Sequence, residues 1–100
     1  MKEMHKRWRK IYEYLCSTDM ELLYLGLTLL INDEECWKFA MTKLKYRTDR
    51  KYLNCTYLGT LDTKLFLNSQ IVRDYTSMML DGYYIHIQKT YIEIYSFNTS

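Results

Sequence analysis

The longest apolar pattern in the chain is residues 17–31, STDMELLYLGLTLLI. On a helical wheel Met20, Leu22, Leu23, Tyr24, Leu27, Leu29, Leu30 and Ile31 cover most of the circumference, and Glu21, Thr28 and Asn32 fill the remaining strip. A helix apolar nearly all round is a buried one, so a helix over 19–31 is expected at the centre of the fold. Gly26 lies inside the apolar arc. A glycine in a helix interior costs about 1 kcal/mol against alanine, a cost offset where a neighbouring backbone must approach closely.

The flanking patterns are also helical. In 3–15, Met4, Trp8, Ile11 and Leu15 recur at helical spacing and Tyr12 widens the stripe, with His5, Lys6, Arg7, Arg9 and Lys10 opposite. Ser17, Thr18 and Asp19 break the pattern, each a good N-cap, and Glu21 follows at a spacing that suits a capping box. Asn32 and Asp33 end the second helix and start a third over 34–45, with Cys36, Trp37, Ala40, Met41 and Leu44 on one side. Glu34 and Glu35 in its first turn, and Lys43 and Lys45 in its last, suit the helix dipole. So short a loop makes these two helices antiparallel neighbours. With its S-x-D…L-G-L-x-L-L pattern the pair resembles one unit of the HEAT-like repeats, but such arrays need at least about three units and no second copy follows.

After the polar joint 46–51 the period changes. Residues 52–58, YLNCTYL, predict a strand, Gly59-Thr60 and Asp62-Thr63 turns, and 64–67 a partner strand. Ser69 is placed to cap a short helix over 70–80, carried by Ile71, Tyr75, Met78 and Met79, with Gly82 as its left-handed C-cap. The tail, 83–97, alternates strictly. A turn at Lys89-Thr90 puts Ile87 opposite Ile92 and Ile85 opposite Ile94 on one face, and pairs Tyr84 with Tyr95 and His86 with Glu93 on the other. Lys-Thr is a poor two-residue turn, because both positions want positive φ. A lone hairpin is marginal in water, so 52–58 is the expected third strand. The fold class is α+β: three N-terminal helices (3–15, 19–31, 34–45), a short helix at 70–80 and a small antiparallel sheet, in a single domain over 1–100.

Composition changes this picture in three places. Eleven tyrosines among 100 residues reflect A/T-biased coding or a binding surface, since tyrosine gives stiff amphipathic contact area. Cys16, Cys36 and Cys55 are odd in number and far apart, which reads as three reduced thiols. The net charge of +2 is segregated: residues 1–14 hold five Lys/Arg against two Glu, 43–51 five against one Asp, and 15–42 one Lys against five acids. The first ten residues are basic with no apolar run behind them, and no apolar run approaches the roughly 20 residues of a membrane span. A cytoplasmic protein with no membrane span is expected.

Candidate chemistry is sparse. The two histidines are His5, on the basic helix face, and His86, whose cross-strand neighbour is Glu93, an arrangement more typical of a surface pair than of acid–base catalysis. No cysteine has a histidine nearby in sequence to activate it, the spacing offers no metal site, and three scattered glycines make no phosphate loop. The expectation is therefore a non-enzyme without cofactor or metal. Its function is read as a small protein–protein interaction module, binding through a tyrosine-rich face of Tyr84, His86, Tyr91, Glu93 and Tyr95, with another protein or a second copy as partner. By analogy with small A/T-biased proteins carried by phages and mobile elements, it would be an inhibitor or accessory factor. The alternative is a nucleic-acid-binding accessory protein, using Lys6, Arg7, Arg9, Lys10, Lys43, Lys45, Arg47, Arg50 and Lys51, with Trp8, Tyr46 and Tyr52 interleaved as stacking rings.

Overall fold

A computed structural model describes residues 2–41 and 54–98. Three helices come first: α1 (Lys2–Leu15), α2 (Met20–Asn32) and α3 (Glu34–Met41). Then follow β1 (Cys55–Asp62), the single turn α4 (Thr63–Phe66), α5 (Ser69–Asp74), β2 (Ser77–Leu80), β3 (Tyr83–Ile87) and β4 (Tyr91–Phe97). The sheet is antiparallel, in the order β1-β4-β3-β2. The α+β class is as expected, and the third helix reaches Met41, with 42–45 outside the described residues.

The helices start where short polar side chains can hold free N–H groups. Asp19 caps α2, its carboxylate accepting from the Glu21 N–H at 2.9 Å, while Ser17 Oγ accepts from the Asp19 N–H at 3.0 Å. Asp33 closes α2 and opens α3: its N–H donates to the Leu30 carbonyl at 3.2 Å, and its Oδ1 accepts from the Cys36 N–H at 3.1 Å. Asn68, rather than Ser69, caps α5 by accepting from the Gln70 N–H at 2.9 Å. α1 and α2 pack as an antiparallel hairpin, and Gly26 sits at their contact. A Cβ added there would lie 2.7 Å from Tyr14 Cβ and 3.2 Å from the Leu15 backbone nitrogen.

The core lies between the helices and one face of the sheet. Ile85, Ile87, Ile92 and Ile94 pack there with Met78, Leu61, Phe66 and the buried residues of α1 to α3. Each such side chain, fully buried, contributes about 1.5–3 kcal/mol. The hairpin register is the expected one: Ile87 faces Ile92, Ile85 faces Ile94, Tyr84 faces Tyr95 and His86 faces Glu93. Its turn uses positive φ at neither Lys89 nor Thr90. Instead Thr63 holds it from outside, its hydroxyl donating to the Lys89 carbonyl at 2.7 Å and its N–H to the Thr90 carbonyl at 3.3 Å.

Five expectations are corrected. α2 is not central: it packs against α1 and α3, burying only Leu23, Gly26, Leu27 and Leu30. Leu22, Tyr24, Leu25 and Leu29 are exposed, because a helix on the outside covers only its inward stripe, whatever its composition. The strand expected over 52–58 is β1, which runs on through Gly59 and Thr60 to Asp62 and pairs along the length of β4, with a register shift between Tyr57 and Gly59. Gly59 marks close packing rather than a turn, since an added Cβ would meet Met41 Cε at 2.6 Å and Trp37 Cζ2 at 2.7 Å. Residues 64–67 form no strand; 63–66 are the turn α4. The helix expected over 70–80 ends at Asp74, and 77–80 become β2, where Met78 pairs with Ile85 and joins the isoleucine face. Gly82 is left-handed, at φ 85°, but in the turn between β2 and β3.

Candidate functional site

Strand alternation and register place the expected recognition residues together on the sheet face turned away from the isoleucines. Tyr84 and His86 of β3 lie beside Tyr95 and Glu93 of β4. β1 adds Tyr57 opposite Tyr95, Thr60 opposite Glu93 and Asp62 opposite Tyr91. The rings form a chain, with centroids 5.6 Å apart for Tyr57–Tyr95, 6.2 Å for Tyr84–Tyr95 and 6.5 Å for Tyr84–His86.

Beneath the rings is a buried carboxylate. Glu93 is 0% exposed and Tyr95 1%. The Tyr95 hydroxyl donates to Glu93 Oε2 at 2.9 Å, and His86 Nδ1 stands 3.4 Å from Oε1, an ion-pair distance without a hydrogen bond. Gln88 Nε2 approaches His86 Nδ1 at 3.3 Å, and the Tyr57 hydroxyl is hydrogen-bonded to Thr60 Oγ1. A buried carboxylate needs such partners, because leaving water unpaired is costly. Of the five expected contact residues, Glu93 and Tyr95 are buried, and Tyr84, His86 and Tyr91 are half-buried. Sequence reasoning missed Tyr57 and Thr60, since reading Gly59-Thr60 as a turn hid the alternation of β1.

The basic zones are also rearranged. Lys6, Arg9 and Lys10 are exposed on α1. Arg7 turns instead to the α2–α3 junction: its Nε donates to Asp33 Oδ2 at 2.7 Å, and its Nη2 donates to Asp33 Oδ1 at 3.4 Å and Glu35 Oε1 at 2.9 Å. The Arg7 guanidinium, helped by the Cys36 N–H, holds the Asp33 carboxyl down at about 2. Lys43, Lys45, Arg47, Arg50 and Lys51, with Tyr46 and Tyr52, lie outside the described residues. The thiols of Cys16, Cys36 and Cys55 are free. Burial, then the neighbouring Asp33 carboxylate, pushes the Cys36 thiol up to about 11.

A surface that sequence reasoning placed in the core is the outer face of α2. Leu22, Leu25 and Leu29, 39%, 42% and 38% exposed, follow one another at i, i+3 and i+7 on one side of the helix. Leu25 and Leu29 line a groove of about 670 Å³ between α1 and α2, with Ile11, Tyr14 and Lys10 along the other wall and Asp33, Glu34 and Glu35 at one end. Composition alone did not mark it, because how many of the leucines of α2 are covered depends on what packs against the helix.

Among the described residues, no three His, Cys, Asp or Glu side chains are grouped to hold a metal ion, and no helix is long and apolar enough to cross a membrane. No family model, no curated protein and no solved structure matches this chain.

Proposed function

We propose that the protein is a small non-catalytic protein–protein interaction module that receives an amphipathic helix of its partner in the groove between α1 and α2. The observation that carries this reading is the row Leu22, Leu25 and Leu29, three large apolar side chains exposed in line on one helix. Helix-in-groove recognition uses apolar anchors at i, i+3 or i+4, and i+7, and the row supplies the matching ridge. The groove ends at Asp33, Glu34 and Glu35, where Arg7 pairs with Asp33 and Glu35 and Lys38 pairs with Glu34. Tyr84, His86 and Tyr91 form a second, half-buried surface on the far face of the sheet.

The test is selection from a displayed library of helical peptides, with the Leu25→Asp/Leu29→Asp double variant as counter-screen. Both leucines are exposed, so the variant should keep the wild-type circular dichroism spectrum. Enriched peptides should carry apolar residues at helical spacing, shift the amide resonances of α1 and α2, and bind the variant at least ~10-fold more weakly, as expected when a central anchor is replaced by a charge. No enrichment, or equal binding to both proteins, would overturn the proposal.

The nucleic-acid reading rests on exposed Lys6, Arg9 and Lys10. It predicts retention on duplex DNA that falls steeply with salt, whereas an apolar groove predicts little salt dependence.

A further inference from the structure

A second cleft, of about 820 Å³, opens on the side of α5 and the end of β3. Its size falls within the range of small-molecule sites, roughly 300–1,000 Å³. Its floor is apolar: Leu67 and Ile87 are buried and Val72 half-buried, all three packed in or against the core. Two cations, Arg73 and Lys89, stand on its walls, and no acidic residue lines it. Asp62 and Asp74 adjoin lining residues in sequence but do not line the cleft themselves. Among the described residues neither Arg73 nor Lys89 is ion-paired, and the side chains of Ser69, Tyr75 and Thr76, which also line the cleft, make no hydrogen bond.

The walls are anchored. The hydroxyl of buried Thr63 donates to the Lys89 carbonyl at 2.7 Å, and the Ile87 N–H donates to the Thr76 carbonyl at 2.8 Å. The turn that carries Lys89 is thereby tied to α4, and the strand end to the segment after α5. Two positive charges with no internal counterion attract an anion, and hydroxyls without partners offer it hydrogen bonds. The apolar floor gains only if the anion carries an apolar body.

We propose that this cleft binds a small amphipathic anion, a carboxylate or phosphate carried on an apolar body. Arg73 and Lys89 hold the head group, and Leu67, Val72 and Ile87 receive the apolar part.

The experiment is a titration of the isotope-labelled full chain with octyl phosphate and octanoate, both below their micelle concentrations, followed by amide resonances. Saturable shifts are expected at Val72, Arg73, Gln88 and Lys89. Inorganic phosphate, lacking the apolar body, and octanol, lacking the charge, should each bind at least ~10-fold more weakly. The Arg73→Gln/Lys89→Gln variant should also bind at least ~10-fold more weakly, by loss of its two charge-assisted contacts; its melting temperature should be unchanged, since both side chains are exposed. Val72→Ser supplies an independent check on the floor and should weaken octanoate more than inorganic phosphate. Non-saturating shifts, undiminished binding by the double variant, or shifts centred on Leu25 and Leu29 in the α1/α2 groove would overturn the proposal.

Discussion

Gly26→Ala tests the packing of the helical hairpin, because two large effects oppose each other at that position. At an open site in mid-helix the substitution stabilises by about 1 kcal/mol, since alanine restricts the unfolded chain and glycine does not. Gly26 is not an open site. Its missing Cβ would stand 2.7 Å from Tyr14 Cβ, 3.2 Å from the Leu15 nitrogen and 3.3 Å from the Tyr14 carbonyl carbon. Carbon atoms rest about 3.5–4.0 Å apart, so α1 would have to retreat by roughly 1 Å. None of these atoms is the far end of a flexible side chain, and the shift would disturb Ile11 and Leu15, both in the core. Overpacking of this kind costs about 1–3 kcal/mol. Set against the gain in helix propensity, the expected net loss is about 1 kcal/mol for Gly26→Ala, rising to about 3 for Gly26→Leu. Urea unfolding followed by circular dichroism measures it, and the thermal midpoint should fall by about 4–8 °C per kcal/mol in a domain this small. Thr28→Ala, at an exposed position two residues on, is the control and should be neutral or slightly stabilising. A stability increase of about 1 kcal/mol in Gly26→Ala would refute the close approach of α1 and α2.

Two further predictions concern ionisable groups. The Asp33 carboxyl is lowered from 3.8 to about 2, so its stabilisation is fully present above pH ~4–5 and is lost as pH falls toward 2. Because its partner Arg7 is 42% exposed, the expected contribution is only about 1 kcal/mol. Asp33→Asn should keep the cap on α3 and flatten that acid limb of the stability curve, and Asp33→Ala should lose about 1 kcal/mol more at neutral pH; an unchanged acid limb in the Asn variant would show that the Arg7 pair is inert. Cys36, buried and pushed up to about 11, should alkylate at pH 8 at least ~10-fold more slowly than half-buried Cys16 or Cys55, because the thiolate is the nucleophile. Peptide mass mapping after timed iodoacetamide treatment checks this, and fastest labelling at Cys36 would contradict its burial.

The local pattern alone determined the three N-terminal helices and the C-terminal hairpin down to its register. In the helices the apolar stripe recurs every third or fourth residue and Asp19 and Asp33 are short-range caps. In the hairpin only one register brings four isoleucines to one face. These features depend on neighbours within a few residues, or directly across a turn. Tertiary structure decided everything that depends on a distant partner. Gly59 and Thr60 resemble a turn until β4 pairs with them and Trp37 and Met41 press on the glycine. Met78 fits a helical repeat as well as a strand, and pairing with Ile85 selects the strand. The candidate surfaces followed the same division. Alternation was enough to group Tyr84, His86, Tyr91, Glu93 and Tyr95 on one face, but not to reveal that Glu93 and Tyr95 are buried there. Nor could the composition of α2 show that its leucines outnumber the positions the core can cover. Burial is set by what lies against a face, and that is a property of the assembled fold rather than of any one stretch of chain.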